Sequence, residues 1–159
     1  MQVAEAVKEA AGDDMAVIVH VGAASTKEAC ILARHAEKIG VSAVSAVPSV
    51  YYRLSEASIE KHWDTIMDST ELPFFIYNIP QLTGYDLSFE LFEKMAKKEK
   101  VIGIKKLLGK HLPDGEIQKN RRTRFCHIQR SGRAAACRQA YGRNGRHRRY
   151  IRHHAGALS

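Results

Sequence analysis

The chain has 159 residues and a formal net charge of +8, a length that suffices for one domain with its own core. No apolar run is long enough to cross a membrane, and the acidic amphipathic start (MQVAEAVKEAAGDD) lacks the cationic and apolar regions of a signal peptide. The three cysteines show no paired spacing. We therefore expect a protein without a disulfide framework that resides in the cytoplasm.

The charge is divided unevenly along the chain. Residues 1–105 hold 11 Lys and Arg against 15 Asp and Glu, whereas residues 106–159 hold 14 against 2. A basic segment of this kind is typical of an arm that binds nucleic acid or an anionic membrane surface. A basic nucleic-acid-binding protein is therefore one hypothesis for this chain.

The first 105 residues alternate helical patterns with short apolar runs. Helices are predicted at about 3–11, 26–39, 55–67 and 88–97, and strands at about 16–21, 41–47, 73–79 and 101–105. A period near 30 residues indicates a parallel α/β fold, either a barrel or a doubly wound sheet. Polar or small residues at every strand end, and the lack of a glycine-rich phosphate loop, favour the barrel. Four strands cannot close a barrel of eight, so we predict a partial barrel.

Two reactive side chains close neighbouring predicted strands. Tyr77 ends the third strand and Lys105 ends the fourth, and the connection between them is long enough for a crossover helix. The strands should then be parallel, with both side chains on the same rim. A desolvated lysine can attack a carbonyl, and a phenol can transfer a proton. Spacing alone also allows a lysine that snorkels to solvent and a half-buried structural tyrosine.

The remaining candidate ligands have simpler interpretations. We predict that His20 is a core histidine, that His35 and His62 are solvated on helices, and that Cys30 is a buried free thiol. The Cys and His residues of the basic segment match no common zinc spacing, so we predict no metal site.

Four ordered blocks carry a family resemblance. They are HVGAAST at 20–26, AVSAVPSVYY at 43–52, YNIPQLTG at 77–84 and VIGIK at 101–105. Together they resemble the N-acetylneuraminate lyase / dihydrodipicolinate synthase family, which are pyruvate-dependent class I aldolases on a TIM (β/α)8 barrel. The likeness covers about residues 1–105 without gaps.

The resemblance implies a role for three residues. Lys105 matches the lysine that forms a Schiff base with pyruvate, and Tyr77 matches the tyrosine that moves protons during carbon–carbon bond cleavage. Tyr51 matches a substrate-binding tyrosine near the active-site rim, in a loop that also takes part in subunit contacts. The family implies small-molecule partners (pyruvate and a sugar acid), no cofactor beyond the covalent Schiff base, no membrane and a homotetrameric full-length relative.

One position separates branches of the family. Synthases usually carry a carboxylate-binding arginine two residues after the proline of the YN[IV]P motif, and here that residue is Leu82. Leucine resembles the sialic acid lyase side. The implied reaction is cleavage of N-acetylneuraminate or a related sugar acid to pyruvate and an aldehyde such as N-acetylmannosamine. Dihydrodipicolinate synthase and other pyruvate-condensing aldolases remain alternatives.

The sequence also departs from the family. The Gly-x-x-Gly-Glu segment that binds the pyruvate carboxylate is not in the chain, and Lys105 is followed by KLLG instead of a Thr-Ser-type segment. We therefore expect an N-terminally truncated aldolase with impaired catalysis.

The basic segment has no apolar period, and its arginines are scattered among Gly, His and Ala. Codons can be chosen for Cys126–Gly132 that give AIFNGR when read one base later, and for Cys137–Ala155 that give AGKLMGAMAGIGGTYAIM. Both products resemble later strands of the same family. We therefore predict two regions: residues 1–105 as a partial barrel of about four strands, and residues 106–159 as an irregular basic tail, disordered or translated out of frame.

Overall fold

The structure, a computed structural model, describes residues 1–12, 15–49, 52–106 and 126–129. The helices are α1 (Gln2–Ala11), α2 (Thr26–Lys38), α3 (Glu56–Asp68), α4 (Pro80–Thr83) and α5 (Phe89–Ala96). The strands are β1 (Ile18–His20), β2 (Ala43–Ala46), β3 (Phe74–Asn78), β4 (Val101–Lys106) and β5 (Cys126–Gln129). Every helix and strand predicted for residues 1–105 is present, with ends that differ by one or two residues. The described helices include none long and apolar enough to cross a bilayer.

Serine caps fix where three helices begin. The side-chain oxygens of Ser25, Ser55 and Ser88 accept hydrogen bonds from the backbone N–H groups of the residues three positions later. Each cap satisfies an N–H that the helix itself leaves unpaired, which stabilises the helix by about 1 kcal/mol. These caps place the helix starts directly after the loops that leave β1, β2 and β3.

The strands form one parallel sheet in the order β1-β2-β3-β4-β5. The register pairs Ile18 with Ala43, Val44 with Phe74 and Tyr77 with Lys105. Because all of the described strands pair in parallel, their carboxyl ends lie along one edge of the sheet. This arrangement confirms the predicted α/β class and parallel sheet.

One face of the sheet packs against the helices. The main core joins Val44, Phe74, Ile76 and Ile104 of the strands to side chains of α1, α2, α3 and α5, including the almost fully buried Trp63. Burial of a side chain of this size contributes roughly 1.5–3 kcal/mol. The buried free thiol of Cys30 belongs to the same core, as predicted.

The other face of the sheet carries a smaller apolar cluster and the polar side chains. Ala43 and Phe75 form that cluster, and Ile18 and Ile102 pack against it. Side chains alternate between faces along a strand, so Tyr77 lies on the same face as Phe75. Lys105 lies beside Tyr77 on this face, because the two residues are paired in register.

One described strand lies outside the region in which we predicted regular structure. Cys126–Gln129 forms β5, which pairs in parallel with β4 and places Gly103 opposite Cys126. Four strands were predicted, and this segment of the basic tail adds a fifth. The rest of residues 107–159 lies outside the described residues, so the proposed division at residue 105 and the frame of the tail stay predictions.

Candidate active site

Tyr77 and Lys105 lie side by side at the carboxyl ends of β3 and β4. They are direct partners in the parallel register, and both side chains are half-buried. The Lys105 Nζ atom lies 4.0 Å from the centroid of the Tyr77 ring. The structure thus brings together the two residues that the sequence placed at neighbouring strand ends.

The ring face of Tyr77 is an electrostatic partner for a cation at Lys105 Nζ. A lysine ammonium over an aromatic face is stabilised by about 0.5–1 kcal/mol at an exposed site and by more where water is excluded. A protonated imine on the same nitrogen carries the same charge. The phenol ring can therefore stabilise both the resting ammonium and a covalent iminium.

His20 joins this pair from β1, which corrects the prediction that it is a core histidine. The residue as a whole is exposed, but its ring is partly shielded where it makes an edge-to-face contact with the Tyr77 ring at a centroid separation of 5.6 Å. Partial burial of the ring and the nearby Lys105 ammonium lower the pKa of His20. The sequence placed His20 near a strand end, as it did Tyr77 and Lys105, but gave no sign that the imidazole would contact the Tyr77 ring.

One backbone hydrogen bond and the lack of a side chain at Gly22 accommodate the His20 ring. The backbone N–H of Val47 donates a long hydrogen bond of 3.4 Å to His20 Nε2. A Cβ atom built on Gly22 would lie 2.7 Å from His20 Cε1 and 2.8 Å from Nε2, which is closer than real Cβ contacts come. A side chain at position 22 would therefore require the His20 ring to move from its observed position.

The turn after β3 is anchored beneath the rim. Asn78 is buried, and its Nδ2 donates a hydrogen bond of 3.2 Å to Asp86 Oδ1. Pro80 begins the short helix α4, which ends at Gly84 in the left-handed conformation that glycine adopts without strain. This bond fixes the path of the chain that leaves Tyr77.

The family resemblance also singled out Leu82 and Tyr51, and the structure describes only the first of these two residues. Leu82 lies on α4 and is 75% exposed, so a side chain at this position faces solvent near the end of β3. Tyr51, the predicted substrate-binding tyrosine, lies outside the described residues, and its role stays a prediction.

The two histidines on helices, His35 and His62, are more buried than predicted. His62 is buried rather than solvated, because its Nδ1 lies 2.8 Å from Thr26 Oγ1 across the α2–α3 contact. His35 is half-buried, and its Nε2 lies 3.1 Å from Glu5 Oε1. Within the described ranges, no three His, Cys, Asp or Glu side chains gather in a cluster that could hold a metal ion.

The chain is similar to known proteins in sequence. The Dihydrodipicolinate synthetase family matches residues 1–138. The N-acetylneuraminate lyase of Mediterraneibacter gnavus is 43% identical over 104 residues, which are 65% of this chain and 33% of that protein. The chain therefore spans about a third of the length of this curated relative.

Solved structures agree with the sequence match. CdNal from Clostridium difficile, in complex with mannosamine, matches with a TM-score of 0.72 and 29% identity over 80% of this chain and 44% of that chain. The wild-type Ruminococcus gnavus sialic acid aldolase matches with a TM-score of 0.65 and 41% identity over 74% of this chain and 38% of that chain. A catalytic lysine mutant of that aldolase matches with a TM-score of 0.57 and 41% identity over 65% of this chain and 33% of that chain. These neighbours share the fold of the described part of this chain.

Proposed function

The chain belongs to the Dihydrodipicolinate synthetase family, and on that premise we propose that Lys105 and Tyr77 are the reactive pair of a class I pyruvate aldolase. The observation that carries the proposal is the position of Lys105 Nζ, 4.0 Å over the Tyr77 ring at the carboxyl edge of a parallel sheet. A nucleophilic amine and a phenol on one rim are the two groups that Schiff-base aldol chemistry requires.

Lys105 performs the first step. Its neutral amine attacks the keto carbon of the substrate, the carbinolamine takes up a proton and loses water, and a protonated imine forms on Nζ. The ring face of Tyr77 stabilises this cation as it stabilises the ammonium. Because the iminium nitrogen is itself the electron sink, the reaction as proposed uses no separate cofactor.

Tyr77 performs the proton transfers. For cleavage, its phenolate oxygen accepts the proton of the substrate hydroxyl, the carbon–carbon bond breaks, and the electron pair moves into the iminium to give an enamine. The aldehyde product leaves, and the phenol returns its proton to the enamine carbon. Hydrolysis of the resulting imine releases pyruvate and restores the Lys105 amine.

The substrate that this proposal favours is N-acetylneuraminate or a related sugar acid. Two relatives support this choice by name. The Mediterraneibacter gnavus relative is an N-acetylneuraminate lyase with 43% sequence identity, and the Ruminococcus gnavus relative is a sialic acid aldolase with 41% sequence identity. Leucine at position 82 agrees with this branch, since a synthase-type arginine there would bind a second carboxylate. Dihydrodipicolinate synthase chemistry remains the alternative within the family.

Borohydride trapping tests the proposal. The full chain is incubated with pyruvate and sodium borohydride, and the adduct is located by intact mass and peptide mapping. We expect one reduced pyruvyl adduct on Lys105 and none in Lys105→Met. The control Lys27→Met, which removes an exposed lysine of α2, should keep the adduct. An adduct spread over many lysines, or its survival in Lys105→Met, would contradict the assignment.

The nucleic-acid hypothesis rests on residues 106–159, of which the structure describes Lys106 and the backbone of β5. Nothing in that part favours a nucleic-acid groove over a strand of the sheet. Salt-sensitive binding to DNA with no pyruvate adduct on Lys105 would support that hypothesis instead.

A further inference from the structure

We propose that His20 is a positioning residue of this site, whose neutral imidazole holds the Tyr77 ring in place beneath the Lys105 nitrogen. The inference rests on the proposed function and adds a third residue to its reactive pair. His20 acts through Tyr77, so it is a positioning residue and not a catalytic one.

The His20 ring contacts the Tyr77 ring directly. His20 and Tyr77 meet at an interplanar angle of 81° with centroids 5.6 Å apart, while Lys105 Nζ lies 4.0 Å from the Tyr77 centroid. The phenol ring thus has the lysine against its face and the imidazole in an edge-to-face contact. Aromatic pairs in this geometry contribute about 0.5–1.5 kcal/mol beyond the area they bury. Removal of the imidazole would free the Tyr77 ring to turn.

The imidazole ring is itself positioned by a backbone hydrogen bond. Its Nε2 accepts the hydrogen bond from the Val47 N–H, and the absence of a Cβ at Gly22 leaves room for the ring. An Nε2 that accepts is unprotonated, so the neutral ring carries its proton on Nδ1. Protonation of Nε2 would break this bond and release the ring from Val47.

The positive charge at Lys105 also favours a neutral His20 ring. Among the described residues, two titratable side chains act on His20: Tyr77 contacts its ring, and Lys105 acts on it through its charge. A protonated His20 would place a second cation close to the Lys105 nitrogen and would repel both the ammonium and the iminium. Partial burial and Lys105 lower the pKa of His20, so the neutral ring is favoured near neutral pH. Acidification should therefore oppose imine formation through the positive charge that His20 gains beside Lys105.

The test combines trapping with nitrogen NMR on the full chain. The rate of the Lys105 adduct with pyruvate is followed from acid to neutral pH in the unaltered chain and in His20→Gln, whose Oε1 can replace Nε2 as acceptor without titrating. We expect the unaltered chain to show a steeper acid dependence than His20→Gln. His20→Leu, which has no acceptor, should form the adduct about 3- to 10-fold more slowly at neutral pH, since the edge-to-face contact is lost. His35→Gln, on the far end of α2, should match the unaltered chain.

NMR keeps the inference testable if a variant fails to fold. In the unaltered chain, we expect the Nδ1–H tautomer of His20 at neutral pH and a pKa that rises in Lys105→Met. An adduct on Lys105 whose rate and pH profile are the same in His20→Gln and His20→Leu would overturn the inference and leave the proposed function standing. An Nε2–H tautomer would also overturn it. Failure of the unaltered chain to form any Lys105 adduct would overturn both the His20 inference and the proposed function.

Discussion

At the scale of single residues, the Tyr77 side chain has two separable parts. Its ring face lies against the Lys105 nitrogen, and its hydroxyl group is the proposed proton carrier. Phenylalanine at this position would keep the ring and remove the hydroxyl. The cation–π contact and the proton transfer can therefore be tested independently.

We predict that Tyr77→Phe keeps the pyruvate adduct and loses the proton chemistry. Borohydride trapping on Lys105 should stay within about 3-fold, because the ring face still stabilises the iminium. Exchange of the pyruvate methyl protons in deuterated water, which requires enamine formation, should slow by about 100-fold or more. Exchange is measured by proton NMR at saturating pyruvate.

Tyr85→Phe is the matched control. The Tyr85 hydroxyl donates a hydrogen bond of 3.1 Å to Glu56, and burial together with that carboxylate raises its pKa to about 12. This phenol is held protonated away from Lys105, so its removal should leave exchange unchanged. Equal slowing in both variants would show that Tyr77 acts through packing alone.

At the scale of secondary-structure elements, an ion-pair cluster joins α3 to the segment around α5. Lys98 Nζ lies 2.5 Å from Asp64 Oδ1 and 3.2 Å from Glu60 Oε1, and Lys94 Nζ lies 2.7 Å from Glu60 Oε2. The hydrogen bond from Lys94, followed by contacts with Lys98, lowers the pKa of Glu60 despite some opposing desolvation. The contacts of Glu60 with Lys94 and Lys98 therefore stabilise the folded chain while Glu60 is ionised.

We predict that stability depends on this cluster and on pH. Because the folded pKa of Glu60 lies below its unfolded value, the contribution is present above the unfolded value and is lost as pH falls through the folded one. The free energy of unfolding by urea should thus decrease between about pH 5 and pH 3. Lys98→Met should lower it by about 0.5–1 kcal/mol at neutral pH and flatten the acid loss.

The exposed Lys38 of α2 provides a comparison for that series. Lys38→Met removes one positive charge without touching the cluster, so its urea curve should follow the unaltered chain at every pH. If the two substitutions shift stability equally, the effect comes from net charge and not from the contacts of Lys98.

The elements of residues 1–105 were predictable because their signals are local. Three helices begin at serine caps whose side chains accept a backbone hydrogen bond, namely Ser25, Ser55 and Ser88. The apolar spacing of each helix is likewise visible within a few turns of sequence. The burial of His62 was not predictable, because it depends on Thr26 in a different helix. Contacts between elements need the tertiary arrangement, which no local period encodes.

At the scale of the whole molecule, the described sheet is open. Among the described strands, β1 has a neighbour on one side only, and so does β5. Unpaired strand edges and an apolar face promote association with other chains. The same open sheet surrounds Lys105 with fewer groups than a closed barrel would supply.

We predict that the chain as given self-associates and turns over poorly. Sedimentation should show heterogeneous oligomers that grow with protein concentration, and cleavage of N-acetylneuraminate should be far slower than in a full-length relative. The Lys105 adduct with pyruvate should still form, because the described sheet already holds Lys105 against Tyr77 and Tyr77 against His20. A monodisperse monomer, or turnover near that of a full-length relative, would contradict this expectation.

The nucleotide sequence tests the frame of residues 106–159. We predict one inserted or lost base near the codons for residues 105–114, whose correction restores the family pattern across Cys126–Gly132 and beyond. DNA sequencing on both sides of that point is the measurement. An intact frame whose codons cannot yield the family pattern would show that the basic tail is genuine.

The sequence by itself determined the order of helices and strands, their parallel α/β class and the placement of Tyr77 and Lys105 on one rim. Each of these follows from local periods, from caps and from residues at strand ends, aided by the family resemblance. Only the tertiary structure decided that His20 meets Tyr77 and that Cys126–Gln129 pairs with β4. A short apolar strand gives no sign of which face holds the core, and pairing between distant strands depends on register. Those two properties belong to the assembled sheet, so they emerge only when the strands lie side by side.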